Sequence, residues 1–116
     1  MLVKEKMLMN IDELLENGPV NIVILGDSVS HGTVLDNNDY ENVYWNVLKK
    51  KMNAYRDYVP VNMINASVGG TMAKDALSRV DKQVLVHDPD LVIVCFGLND
   101  INGPLEEYLD SLRQIF

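Results

Sequence analysis

The sequence predicts an α/β fold, a parallel sheet of about three strands with helices on both faces. Two patterns carry this expectation. Three apolar, β-branched runs, Val20–Leu25, Val59–Ile64 and Leu91–Phe96, each have the length of a buried strand. The segments between them are long enough to hold a crossover helix, which parallel neighbours require. Right-handed crossovers place the C-terminal ends of all three strands on one rim. In open α/β sheets that rim is where ligands bind.

In chain order, Met7, Ile11, Leu14 and Leu15 recur at helical spacing, and Asn10 with Glu13 forms a capping box. Gly18-Pro19 ends this helix. After the first strand, Ser28 to Asp39 is polar and reads as a loop. Asn38 with Glu41 is a second capping box, opening a helix over about 39–55 whose apolar face carries Val43, Trp45, Val47, Leu48 and Met52. Tyr44 and Trp45 read as packing residues of that helix. Pro60 stands near the start of the second strand, where a missing N–H costs least. A helix over about 72–86 carries Ala76, Leu77, Val80 and Val84 on one side. Asp88-Pro89-Asp90 is a turn leading into the third strand. Pro104 suits the first turn of a last helix with Leu105, Leu109 and Leu112 on one face.

Composition bounds the function. The chain has 116 residues, enough for one domain over 1–116, and 47% hydrophobic residues indicate a globular protein. A net charge of -7 argues against nucleic acid, whose phosphates call for clustered cations. Lys49-Lys50-Lys51 reads as a solvated helix face. Cys95, the single cysteine, reads as a small buried hydrophobe. No cysteine–histidine cluster points to a metal, and no run approaches the about 20 apolar residues of a membrane span. A cytoplasmic location is the expectation.

The chemistry sits in three short segments, each following a strand: Gly26-Asp27-Ser28, Asn65-Ala66-Ser67-Val68-Gly69-Gly70-Thr71 and Gly97-Leu98-Asn99-Asp100. A serine at a strand end can act as a nucleophile once a base takes its proton. The resulting tetrahedral intermediate needs donors aimed at its oxyanion. The backbone N–H groups of Ser28 and Gly70 and the side-chain amide of Asn99 are the candidates. The α/β-hydrolase elbow Gly-x-Ser-x-Gly is absent, since Gly26-Asp27-Ser28-Val29-Ser30 ends in serine.

Together, in this order, the three segments resemble the first three sequence blocks of the SGNH (GDSL-type) hydrolases, and Asp88 to Val94 resembles the lead into the third. The resemblance spans about 20–112. It implies a flavodoxin-like three-layer fold and ester hydrolysis through an acyl-enzyme, with no cofactor and a small-molecule ester as substrate. It makes Ser28 the nucleophile and Ser28, Gly70 and Asn99 the oxyanion hole. Asp27, Gly69 and Asp100 then support the loops.

The resemblance also sets two departures. The family's base is a histidine in a late Asp-x-x-His block, and the sequence holds no such block. His31, close to Ser28 in sequence, lies on the loop leaving it and reads as loop structure or a substrate contact rather than as the base. His87 precedes the third strand, at the opposite rim. The family's sheet has five strands, so the chain is expected to be the N-terminal portion of the fold, missing two units of roughly 30 residues each. Its third strand would then be an open edge, met by self-association or by a complementing C-terminal segment. Two other readings keep the fold: a binding module holding phosphate or nucleotide at the same rim, for which no glycine-rich phosphate pattern is present, and an inactive scaffold.

Overall fold

The computed structural model describes residues 2–116. The strand that organises it is β1 (Val20–Gly26), of which every residue except Asn21 is buried. It is central because it is apolar on both faces. β4 (Val61–Asn65) pairs with one edge in the register Val20↔Val61 to Ile24↔Asn65, and β5 (Leu91–Cys95) with the other, from Ile22↔Leu91 to Gly26↔Cys95. Both pairings are parallel, giving the order β4-β1-β5.

Alternation along β1 builds two cores. Val20, Ile22 and Ile24 point to one face and pack with Met7, Val43, Trp45, Val59 and Val61. Val23 and Leu25 point to the other and pack with Ala76 and Val84. The first face is covered by α1 (Val3–Met7), α2 (Ile11–Asn17) and α4 (Tyr44–Tyr55), the second by α5 (Ala73–Ala76) and α6 (Leu105–Ile115). The layers are helix, sheet, helix, as expected. An apolar groove of about 530 Å³ stays open on the first face, lined by Val3, Met7, Ile22, Leu48, Met52 and Leu91 among others.

The chain's start is fixed at the rim opposite the strand C-termini. Lys6 Nζ donates to Pro19 O at 2.8 Å and to Asp90 Oδ2 at 3.0 Å. The same carboxylate accepts from Asn21 N at 2.8 Å, and Asp90 N donates to Asn21 O at 2.8 Å. Arg56 Nη1 donates to Met7 O at 2.9 Å.

Several elements differ from the sequence reading. The first helix is two: the Asn10–Glu13 capping box forms, with Glu13 N donating to Asn10 Oδ1 at 2.9 Å, but it opens α2 and leaves Met7 in α1. The loop from Ser28 holds a helical turn, α3 (Ser28–His31), and a small antiparallel hairpin, β2 (Thr33–Val34) with β3 (Asn37–Asn38). α4 starts at Tyr44, because the Asn38–Glu41 box does not form. Asn38 Oδ1 accepts from Thr33 Oγ1 in the hairpin, and Glu41 pairs with Lys50. Asp39 instead closes a turn, accepting from Asn42 N and Asn42 Nδ2. Val47 and Leu48 are both exposed, Leu48 on the wall of the open apolar groove rather than in the packed core.

The helix expected over 72–86 breaks after Ala76. It continues as a wide π-helical turn (Val80–Val84) and a 3₁₀ turn (Leu85–His87), leaving Leu77 exposed. Arg79 lies at the break, where its Nη1 donates to Ala66 O at 3.0 Å and to Gln83 Oε1 at 3.1 Å. On α6 the inward face is Tyr108, Ser111, Leu112 and Ile115, whereas Leu105 and Leu109 are exposed. Cys95 is half-buried at the strand end rather than fully enclosed.

Candidate active site

At the C-terminal rim β1 ends in a glycine because nothing larger fits. A Cβ on Gly26 would lie 2.5 Å from Cys95 O and 2.8 Å from Ser30 Oγ. This close approach lets α3 turn straight off the strand. Asp27, 1% exposed, caps α3 by accepting from Val29 N at 3.0 Å. Asp27 N donates to Cys95 O at 3.3 Å, while His31 N and Gly32 N donate back to Asp27 O and Ser28 O. Ser28 is thereby the first residue of the helical turn, half-buried and facing the rim.

α3 is braced from below by α4. Trp45 Nε1 donates to Ser30 O at 2.7 Å in a buried contact, and Ser30 Oγ lies 2.8 Å from Tyr44 Oη. Burial raises the Tyr44 hydroxyl above its usual pKa, against the opposing effect of the Ser30 hydrogen bond. Trp45 thus packs in the core as expected, whereas Tyr44 is partly exposed, and both hold the segment that carries Ser28.

The second loop is laid against the first by β1 itself. Ala66 N donates to Ile24 O at 2.8 Å and Val68 N to Gly26 O at 3.1 Å. Asn65 Oδ1 accepts from Ser67 N, and Asn65 Nδ2 donates to His31 O at 3.1 Å. Gly69 faces Ser28: a Cβ there would sit 3.5 Å from Ser28 Cβ. Gly70 adopts φ 82°, a left-handed conformation suited to glycine.

The third loop closes on the second. Asn99 Nδ2 donates to Thr71 O at 2.9 Å, one residue beyond Gly70. Asp100, 8% exposed, accepts from Ala73 N at 3.1 and 3.3 Å through its two carboxylate oxygens, tying the loop to the start of α5. An amide nitrogen carries two N–H bonds, so the Thr71 contact leaves Asn99 a second donor. Ser28, the Gly69–Gly70 turn and Asn99 thus occupy one rim. His87 is exposed on the turn preceding β5, at the other end of the sheet. His31 lies on α3 itself, with Nε2 3.0 Å from Tyr40 Oη.

Sequence reasoning assigned no role to Tyr40 or Ser30. Their neighbours are up to 15 positions away, and no local pattern marks such pairs. Asn65 carried a weak signal, since asparagine at a strand end bonds its own turn.

Residues 24–116 match the GDSL-like lipase/acylhydrolase family. The uncharacterized lipoprotein YqeF of Bacillus subtilis is 33% identical over 85 residues, covering 72% of this chain and 33% of that protein. The psychrotrophic esterase EstA from Pseudoalteromonas superposes with a TM-score of 0.65 at 29% identity, over 81% of this chain and 50% of its own. The lipase/acylhydrolase from Enterococcus faecalis gives 0.64 at 29%, over 83% and 50%. The chain spans about a third of the curated relative's length and half of these two esterases. With the match running from the middle of β1 to the end of α6, the chain belongs to the GDSL-like lipase/acylhydrolase family.

Proposed function

We propose that this chain is the nucleophile-bearing part of a serine ester hydrolase. The observation that carries the proposal is the meeting of three loops at one rim, with Gly69 against Ser28 and Asn99 bonded beside Gly70. In this reading Ser28 Oγ attacks the ester carbonyl carbon as its proton passes to a base. Negative charge gathers on the carbonyl oxygen, where the N–H groups of Ser28 and Gly70 and the second N–H of Asn99 receive it. The bond to the alcohol then breaks, the alcohol leaves with a proton, and water releases the acyl group from Ser28. Asp27, Gly69 and Asp100 keep the loops in place. In this reading the base is a histidine of the late Asp-x-x-His kind that the family resemblance implies, a block that residues 1–116 do not hold.

The Pseudoalteromonas esterase is inhibited by monoethylphosphonate, and the corresponding test is direct. A fluorophosphonate is expected to add one phosphonyl group to the chain at Ser28, read by mass spectrometry, and none to Ser28→Ala. Asn99→Ala is expected to slow the labelling by about 10²-fold, the scale of losing one oxyanion donor. Added imidazole should speed labelling of the wild-type chain by standing in for the base. Equal labelling of wild type and Ser28→Ala would sink the proposal and return the rim to a binding module or scaffold.

The proposal extends to association. β5 pairs with β1 on one side only among the described residues, and the apolar groove beside Leu91 adjoins it. An open strand edge is a template for another chain. Light scattering after size exclusion is expected to give a mass above 13.1 kDa that rises with concentration. A constant monomer mass would count against it.

A further inference from the structure

His31 follows Ser28 by three residues on α3, and residues at that spacing share a helix face. The space before Gly69 shows what they share. A Cβ there would lie 3.5 Å from Ser28 Cβ and 4.0 Å from His31 Nδ1. The notch left by the glycine is therefore bordered by the serine on one side and an imidazole nitrogen on the other.

The ring is held from behind. Nε2 lies 3.0 Å from Tyr40 Oη, and the two rings stack with centroids 5.9 Å apart and planes at 30°. Tyr40 is brought there by a turn through Gly32 at φ 110°, where Asp39 N donates to Gly32 O at 2.7 Å. The His31 carbonyl is tied to the end of β4 through Asn65 Nδ2. One ring nitrogen is thus engaged and the other faces the notch.

The surroundings select the ligand. Tyr40 can donate or accept, so either tautomer of His31 is available, and Nδ1 can meet a group that does both. A hydroxyl is such a group. A carboxylate is disfavoured by Asp36 and Asp39 on the same loop and by the chain's net charge of -7. Hydrogen bonds from Asn42 keep the Asp39 carboxyl below its usual 3.8, so it is charged at neutral pH.

We propose that His31, positioned by Tyr40, hydrogen-bonds a hydroxyl group of the substrate, making this a site for neutral, hydroxyl-bearing esters in preference to plain alkyl esters. The proposal rests on Ser28 being the nucleophile. The hydroxyl can belong to the alcohol or to the acyl part, and the probes separate these: glycerol monoacetate carries it on the alcohol, propyl glycolate on the acyl group, and propyl acetate on neither.

The test is a titration of the Ser28→Ala chain, followed by ¹⁵N resonances of both imidazoles and by the amides of Gly70 and Asn99. At least one hydroxyl-bearing ester is expected to shift His31 Nδ1 saturably and to bind roughly 2- to 12-fold more tightly than propyl acetate, the range of one neutral hydrogen bond. His87 should not move. Removing the ring with His31→Ala should abolish that ratio, and Tyr40→Phe should reduce it. If the Gly70 and Asn99 amides respond equally to all three esters while Nδ1 stays fixed, the assignment of His31 is overturned. If no ester moves those amides, the ester site itself is overturned, and this proposal with it.

Discussion

Gly26→Ala is expected to unfold much of the population under conditions where the parent chain is folded. The added Cβ would stand 2.5 Å from a backbone oxygen, Cys95 O, and within 2.9 Å of Ser30 Oγ and Cβ. Side-chain atoms at a distance of this kind rotate away. Cys95 O cannot, because Gly26 and Cys95 are paired in the sheet and Asp27 N donates to that same oxygen. Relief requires β1 and β5 to part at their C-terminal ends, or α3 to lift from the strand. Overpacking in a closed site costs about 1–3 kcal/mol, occasionally more, and here the nearest neighbour is a paired backbone oxygen that cannot move. A loss of about 3 kcal/mol in the urea-unfolding free energy is expected, with little change in m-value. Because Ser28 is two residues on, phosphonate labelling should fall even in the folded fraction. A midpoint within error of the parent would mean that the rim relaxes more easily than this geometry allows.

Asp90→Ala is expected to be as damaging, at the other end of the sheet. The Lys6 and Asp90 side chains are 8% and 6% exposed, with 3.0 Å between Nζ and Oδ2. Removing the carboxylate leaves an ammonium inside the protein with Pro19 O as its remaining acceptor and strips Asn21 N of its partner. Breaking a buried pair from one side typically costs about 3–5 kcal/mol, because the surviving charge is desolvated without compensation. The double change Lys6→Met with Asp90→Asn removes both charges and keeps an acceptor for Asn21 N, so it should recover much of the loss. Four urea-unfolding curves, for the parent, Lys6→Met, Asp90→Asn and the double variant, give the coupling directly. A double variant as unstable as the sum of the singles would show that the pair is not coupled.

The parts legible in the sequence were those fixed by contacts close in the chain or by burial on both faces. β1 declared itself because an apolar run without alternation has only a central strand to occupy. The loops bearing Ser28, Gly70 and Asn99 could be placed because parallel strands send their C-termini to one rim. The Asn10–Glu13 box was legible because all of its atoms lie within four residues. Asn38 and Glu41 match the same pattern, yet each side chain has a better partner, Thr33 and Lys50, so the helix starts later. The break after Ala76 follows no Gly or Pro; the residue at it, Arg79, is bonded to a carbonyl on the neighbouring loop. On α6, Leu105 and Leu109 carry the stronger hydrophobic pattern, but the sheet lies on the Tyr108 and Ile115 side. Tyr108 Oη donates to Phe96 O at 3.0 Å, and that contact sets the rotation of the helix.

The backbone bonds running from β1 and β5 into the loops carry a consequence for motion. Ile24 O and Gly26 O hold the second loop, Cys95 O holds the first, and Trp45 reaches from α4 to the Ser30 carbonyl. Segments joined in this way exchange their amide hydrogens as one cooperative unit rather than as independent flaps. The rim that bears Ser28 is accordingly the last stratum of the central strand rather than a covering laid over it. On the proposed reading, a ligand would then meet a rim already in place, with only exposed side chains free to adjust on a timescale of nanoseconds, without the slower opening of a loop.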